Sequence, residues 1–83
     1  MLEADATKIK KEDLTENWHK AAWSFGAEAR ASQRSRYPNK DDRGDMAYYT
    51  KYKEWDKAPK EGQALLRSIF YAGWDAEDKY HFI

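Results

Sequence analysis

Leu14, Trp18, Ala21, Ala22, Phe25 and Ala29 recur at steps of 4, 3, 1, 3 and 4 along the chain. At ~100° per residue these side chains fall within an arc of roughly 100°, the width of a core-facing helical stripe. Asp13 and Glu16 stand at capping-box spacing, and the proline of Tyr37-Pro38 pushes the residue before it out of the α region. The pattern predicts a first helix over about residues 13–35. After a loop over residues 35–44, Tyr48, Tyr52 and Trp55 step by 4 and 3, which predicts a second helix over about 45–57. Asp41, Asp42 and Asp45 are its candidate caps. A third helix is predicted over 59–80, with Pro59 in its first turn and an apolar face of Gly62, Leu65, Leu66, Ile69, Ala72, Gly73, Ala76 and Tyr80.

No useful stretch alternates with a period of two, so the class is all-α: a small three-helix domain over residues 13–83. The apolar residues of 1–12 are scattered and the stretch ends near Lys10-Lys11, which predicts a flexible N-terminal arm.

The outer helices share a short echo. Trp23-Ser24-Phe25-Gly26-Ala27-Glu28-Ala29 and Phe70-Tyr71-Ala72-Gly73-Trp74-Asp75-Ala76 both read aromatic-x-x-Gly-x-acid-Ala. Glycine inside a helix costs about 1 kcal/mol relative to alanine, so each glycine calls for a packing reason. Close approach of the two helices supplies one.

Composition narrows the class of function. Eighty-three residues leave room for one domain, and such a chain buries only about 60% of its unfolded surface. The absence of cysteine removes disulfides and thiolate metal sites. No apolar run approaches the length of a membrane span, and Met1-Leu2-Glu3-Ala4-Asp5 lacks the basic-then-apolar form of a signal peptide. A cytoplasmic location follows as the expectation.

Catalytic and metal constellations are thin. The histidines are His19 and His81, and Glu16-x-x-His19 lacks the second copy and further glutamates that a di-metal bundle needs. The four glycines are isolated, so there is no phosphate-cradling loop. No catalytic residue, metal or cofactor is assigned, and the chain is read as a non-enzyme. Arg43-Gly44-Asp45 reads as a turn followed by a cap.

Charge is balanced overall, with 15 basic and 15 acidic side chains, but not locally. Residues 30–43 hold five cations against two carboxylates, Arg30, Arg34, Arg36, Lys40 and Arg43 among them, with Tyr37 in their midst. Cations at a helix C-terminus complement its dipole, which accounts for part of this excess. On the helical wheel, Trp23 lies roughly 140° and Trp74 roughly 130° from the centre of its own apolar stripe. Tryptophan, tyrosine and arginine are the residue types enriched at binding hot spots. The candidate partner-binding residues are therefore Trp23, Arg30, Arg34, Arg36, Tyr37 and Trp74.

With its aromatic-rich, cysteine-free sequence and the Ala72-Gly73-Trp74 helix, the chain resembles the small orphan proteins of bacteriophages. That resemblance implies a protein that binds and inhibits one host macromolecule, such as a defence nuclease or RNA polymerase. A second similarity, to ribosome modulation factor, lies in an aromatic-x-x-Gly helix and a later Gly-Trp helix across a Tyr-Pro loop. Here the two glycines stand 47 residues apart and the family's basic excess is missing. The expected partner is a host protein or protein complex, bound through the aromatic and arginine surface. Two alternatives are nucleic acid or the ribosome, met by the Arg30–Arg43 segment, and a homo-oligomer whose aromatics bury one another.

Overall fold

The computed structural model describes residues 9–81, without the side chains of residues 80 and 81. The first eight residues of the expected arm, the Tyr80 side chain of the third apolar face and the His81 side chain lie outside the described residues. Three α-helices follow in order: α1 (Asn17–Ala31), α2 (Lys40–Tyr48) and α3 (Lys60–His81). No strand occurs among the described residues, and the all-α, three-helix reading holds.

The limits of the helices differ from the expected ones, each for a local reason. Residues Lys11–Asp13 form a 3₁₀ turn, in which the Asp13 N–H donates to the Lys10 carbonyl at 3.0 Å. That donor is the one a capping box would give to Glu16, so α1 instead begins at Asn17, with Glu16 as an N-cap that makes no side-chain bond. Upstream of it, Ile9 and Leu14 pack against the core as partly buried side chains.

Helix α1 stops at Ala31, four residues before the expected end. Gln33 takes a left-handed conformation, φ 62°, and its N–H donates to the Arg30 carbonyl at 2.9 Å. The Arg34 N–H closes onto Ala29 at 2.7 Å. This is a Schellman motif built on glutamine where glycine is usual, so the glycine that normally announces it is absent.

Helix α2 is the larger correction. It opens at Lys40, five residues earlier than expected, because Asn39 caps it. The Asn39 side chain accepts from the Asp42 N–H at 2.7 Å and the Asp42 carboxylate accepts from the Asn39 N–H at 3.3 Å. Asp42 thus completes a capping box and is not the cap itself. Arg43-Gly44-Asp45, expected as a turn, lies inside this helix. It ends at Tyr48, and Thr50 holds the exit. The Thr50 hydroxyl donates to the Ala47 carbonyl at 2.7 Å and accepts from the Tyr52 N–H at 3.1 Å, the local competition by which threonine withdraws backbone from a helix. Only a 3₁₀ turn, Trp55–Lys57, remains of the expected second half. The predicted aromatic stripe is therefore broken: α2 buries Asp42, Met46 and Ala47, while Tyr48 at its end and Tyr49 and Tyr52 beyond it are exposed.

Helix α3 is the central element. The Pro59 carbonyl accepts from the Gln63 N–H at 2.9 Å, which places Pro59 just before the first turn. Leu66, Ile69 and Phe70 are fully buried with Met46 of α2, each contributing roughly 1.5–3 kcal/mol of apolar transfer. Phe70 lies outside the predicted stripe; α3 is covered on more than one face.

Helices α1 and α3 run parallel. Trp18 and Leu66 line one cavity near their starts, and Arg30 pairs with Asp78 near their ends. Between these points the helices cross on glycine. A Cβ on Gly26 would lie 2.8 Å from the Phe70 carbonyl carbon and 3.0 Å from the Trp74 nitrogen. One on Gly73 would lie 2.9 Å from the Trp23 carbonyl carbon. The contacts are reciprocal: each glycine receives the backbone of the aromatic that stands three residues before the other glycine. The shared aromatic-x-x-Gly pattern is a local pseudo-two-fold crossing.

Candidate functional site

Of the six residues expected at a partner surface, five gather where α1 ends and the chain crosses toward α2. The Schellman turn at Gln33 redirects the backbone, so Arg34 and Arg36 fold back toward carboxylates on the other two helices. Arg30 donates from Nε to Asp78 at 2.6 Å, and its guanidinium stands 5.5 Å over the Trp74 ring. Trp74 donates its indole N–H to the Arg34 carbonyl at 3.0 Å. Arg34 donates to Asp42 at 3.0 Å, linking this turn to the capping box of α2. Arg36 grips Asp75 with two parallel bonds of 2.9 Å and lies 4.6 Å over the Tyr71 ring. Tyr37 meets the same ring edge-on at 5.6 Å.

Each of these three arginines thus holds a carboxylate of its own chain. The fork to Asp75 is the first cause that raises the Arg36 pKa above its ordinary value, against an opposing effect of burial. Arg34 and Arg36 are exposed to a similar extent, but Asp42 is buried whereas Asp75 remains about a third exposed. The pair of Arg34 with Asp42 is the costlier to break, because its loss leaves a carboxylate inside.

Trp23 stands apart from this cluster. Its place about 140° from the centre of the apolar stripe made it a candidate for partner binding. Instead it is half-buried, lining a cavity of about 300 Å³ with Ile9, Lys11, Ala72, Asp75 and Ala76. The segment before α1 covers it. Trp74 is likewise half-buried, its N–H satisfied. Among the described residues the exposed large aromatics are tyrosines: Tyr37 at 65%, Tyr48 at 63%, Tyr49 at 52% and Tyr52 at 36%. Lys53 stands 5.3 Å over Tyr48 and Lys51 stands 5.4 Å over Tyr52.

Sequence reasoning missed Asp75 and Asp78 as the mates of the basic segment, and their spacing of three on one helix was the available signal. It also missed the outward turn of Tyr48, Tyr49 and Tyr52, for which the sequence carried no signal beyond Thr50. Among the described residues, no group of three or more His, Cys, Asp or Glu side chains is placed to hold a metal ion. No helix among them is long and apolar enough to cross a membrane.

Fold and site together define a small all-α protein with a self-paired arginine cluster and an exposed tyrosine surface. Comparison with protein-family models, with curated proteins and with solved structures finds no match for this chain.

Proposed function

We propose that the protein is a non-enzymatic binding module, a small inhibitor or adaptor that works by steric occlusion of another protein. The observation that carries this reading is Tyr37: a 65% exposed ring, held in place against Tyr71 at the rim of the arginine cluster. Tyr71 is in turn stacked under Arg36, whose fork to Asp75 fixes the platform. A rigid aromatic on a fixed base loses little freedom on binding, which is how tyrosine serves as an anchor. Around it Arg30, Arg34, Arg36 and Trp74 supply the shape, and a standard interface of about 800 Å² per partner would cover the cluster.

The pairing of Arg30, Arg34 and Arg36 with Asp78, Asp42 and Asp75 favours a protein partner over a phosphate backbone. Binding to nucleic acid draws its affinity from cations free to neutralise phosphates. The resemblance to small bacteriophage proteins gives the partner its expected kind, a host protein or complex in the cytoplasm.

Affinity purification from the native host, read by mass spectrometry, tests the reading with wild-type protein and Tyr37→Ala side by side. The expected result is a partner retained by the wild type and lost by the variant, with unchanged melting. Equal recovery by both removes Tyr37 from the interface, and a gel shift with mixed RNA and DNA at low salt would transfer the assignment to nucleic acid.

A further inference from the structure

We propose that the cavity bounded by Trp18, Tyr52, Pro59 and Leu66 receives an apolar side chain from an acidic segment of a partner protein. The cavity has a volume of about 440 Å³ and lies between the start of α1, the turn after α2 and the start of α3, on the scale of recognised ligand pockets. Its floor is Leu66, one of the most deeply buried side chains of the core. Its walls are apolar, from Trp18, Tyr52, Ala58 and Pro59.

Both irregular walls are pinned. The turn carrying Tyr52 is held by the buried Thr50 hydroxyl, which bonds the backbone on either side of itself. The segment carrying Ala58 and Pro59 is held by Gln63, whose amide donates to the Trp55 carbonyl at 2.8 Å and the Ala58 carbonyl at 3.2 Å. An apolar pocket with fixed walls is preformed, so an entering side chain meets little ordering cost.

Charge selects the occupant. Lys51 is the cation lining the cavity, and no carboxylate lines it among the described residues. The Lys51 ammonium lies 5.4 Å over the Tyr52 ring, which is itself a wall of the cavity. A segment with Asp or Glu flanking an apolar anchor complements this rim. Tyr48 and Tyr49 continue the exposed aromatic surface along the same stretch of chain, more area than a small molecule in the cavity would cover. This argues for a protein segment. The proposal rests on the binding-module reading only in sharing its protein partner; the Tyr37 platform is a separate surface.

Selection from a displayed library of random twelve-residue peptides, using the whole chain as bait, tests the proposal. Enriched peptides should carry one large apolar residue flanked by Asp or Glu, and a synthetic copy should quench tryptophan fluorescence on binding. Gly62→Leu fills the cavity from its edge: a Cβ there meets only the Pro59 Cδ at 3.8 Å, an ordinary contact. It should weaken that peptide about tenfold or more while leaving the melting temperature unchanged or higher. Lys51→Glu, on the exposed rim, should do the same and shift a repeated selection toward basic peptides. Tyr37→Ala should leave peptide binding intact, which separates failure of this site from failure of the other surface. Peptides without acidic bias, or full binding by a folded Gly62→Leu protein, would overturn the proposal. So would a dimer by light scattering that Gly62→Leu dissolves, since a second copy would then fill the cavity. Binding of oligothymidylate that Lys51→Glu and Tyr52→Ala both abolish would assign the surface to single-stranded nucleic acid instead.

Discussion

At the crossing of α1 and α3 two backbones touch with no side chain between them; from Asn39 to Pro59 the backbone is held by side chains that bond to it. Gly26 and Gly73 make the first region, with Phe70 and Trp23 carbonyl groups seated against them. Asn39, Thr50 and Gln63 make the second: the first two satisfy backbone groups at the ends of α2, and Gln63 reaches from α3 to the carbonyls of Trp55 and Ala58. The difference teaches where tolerance lies. Backbone cannot step aside for a new methyl group, whereas an outward tyrosine on a pinned turn exchanges freely. The crossing therefore carries the stability, and the pinned connection displays the surface that is free to be spent on binding.

The largest effect should come from alanine at the crossing glycines. A Cβ at either site would sit inside the contact distance of the facing backbone, so the helices must part along their length. Gly26→Ala and Gly73→Ala should each cost about 3 kcal/mol, at the upper end of overpacking. In a domain of this size that lowers Tm by roughly 12–24 °C. Gly26→Ala should be the worse, because Phe70 and Trp74 backbone atoms both crowd it. Thermal denaturation followed by circular dichroism measures the change, and a rise in Tm for either variant would refute the close crossing.

Second in size is the link between the two regions. Arg34→Ala leaves the Asp42 carboxylate buried, with the Asn39 N–H as its remaining hydrogen-bond donor. About 2 kcal/mol should be lost. Asp42→Asn in the same chain should recover part of it by removing the stranded charge. Chemical denaturation of both single variants and the double variant reads the coupling; strict additivity would mean that the ion pair does not join α2 to the end of α1.

The third effect reverses sign. Gly44 lies inside α2, and a Cβ there meets nothing within 4 Å. Gly44→Ala should stabilise by about 0.4–1 kcal/mol by restricting the unfolded chain. One substitution type thus distinguishes the regions: destabilising at Gly26 and Gly73, stabilising at Gly44. A loss of stability at Gly44 equal to that at the crossing would erase the comparison.

Legibility in the sequence followed the same division. The crossing was readable because its cause is compositional: glycines at matching places in two long helical stripes have few uses other than contact. The extent of α3 and the three-helix class came from periodicity sustained over many residues. The α2 region was misread because its determinants are single hydrogen bonds. An Asn-x-x-Asp box outcompeted three aspartates as the start, and one threonine hydroxyl ended a helix whose aromatic spacing continued. Likewise Gln33 closes α1 with a left-handed turn that glycine would have announced. As for the site, a wheel drawn on one helix measures distance from that helix's own stripe, and says nothing of what a neighbouring segment covers. Hence Trp23 and Trp74 came out half-buried, and Arg30 and Arg36 acquired mates on α3, 48 and 39 residues away in sequence.

The smallest effect concerns a group that neither region uses. His19 lies edge-on to Trp18, ring centroids 3.9 Å apart, and its buried Nε2 has no hydrogen-bond partner. Burial is the larger influence and lowers its pKa from 6.5, while the Glu16 carboxylate pulls it the other way. For a base whose folded pKa is depressed, the unfolded chain binds more protons between the two values, so stability rises with pH across that window. The stabilisation is complete above about 6.5 and declines as pH falls from there toward the folded value. The ring is only partly enclosed, so solvent screens the effect and it ranks below the others. His19→Phe keeps an aromatic against Trp18 and removes both the proton and the orphaned nitrogen. It should flatten the pH dependence of chemical-denaturation midpoints below pH 6.5 without lowering stability at pH 7.5, since replacing an unsatisfied buried group by an apolar one of similar shape is neutral or favourable. An unchanged slope in His19→Phe would place the acid sensitivity on other groups, and a fall in stability at pH 7.5 would show that the imidazole has a partner after all.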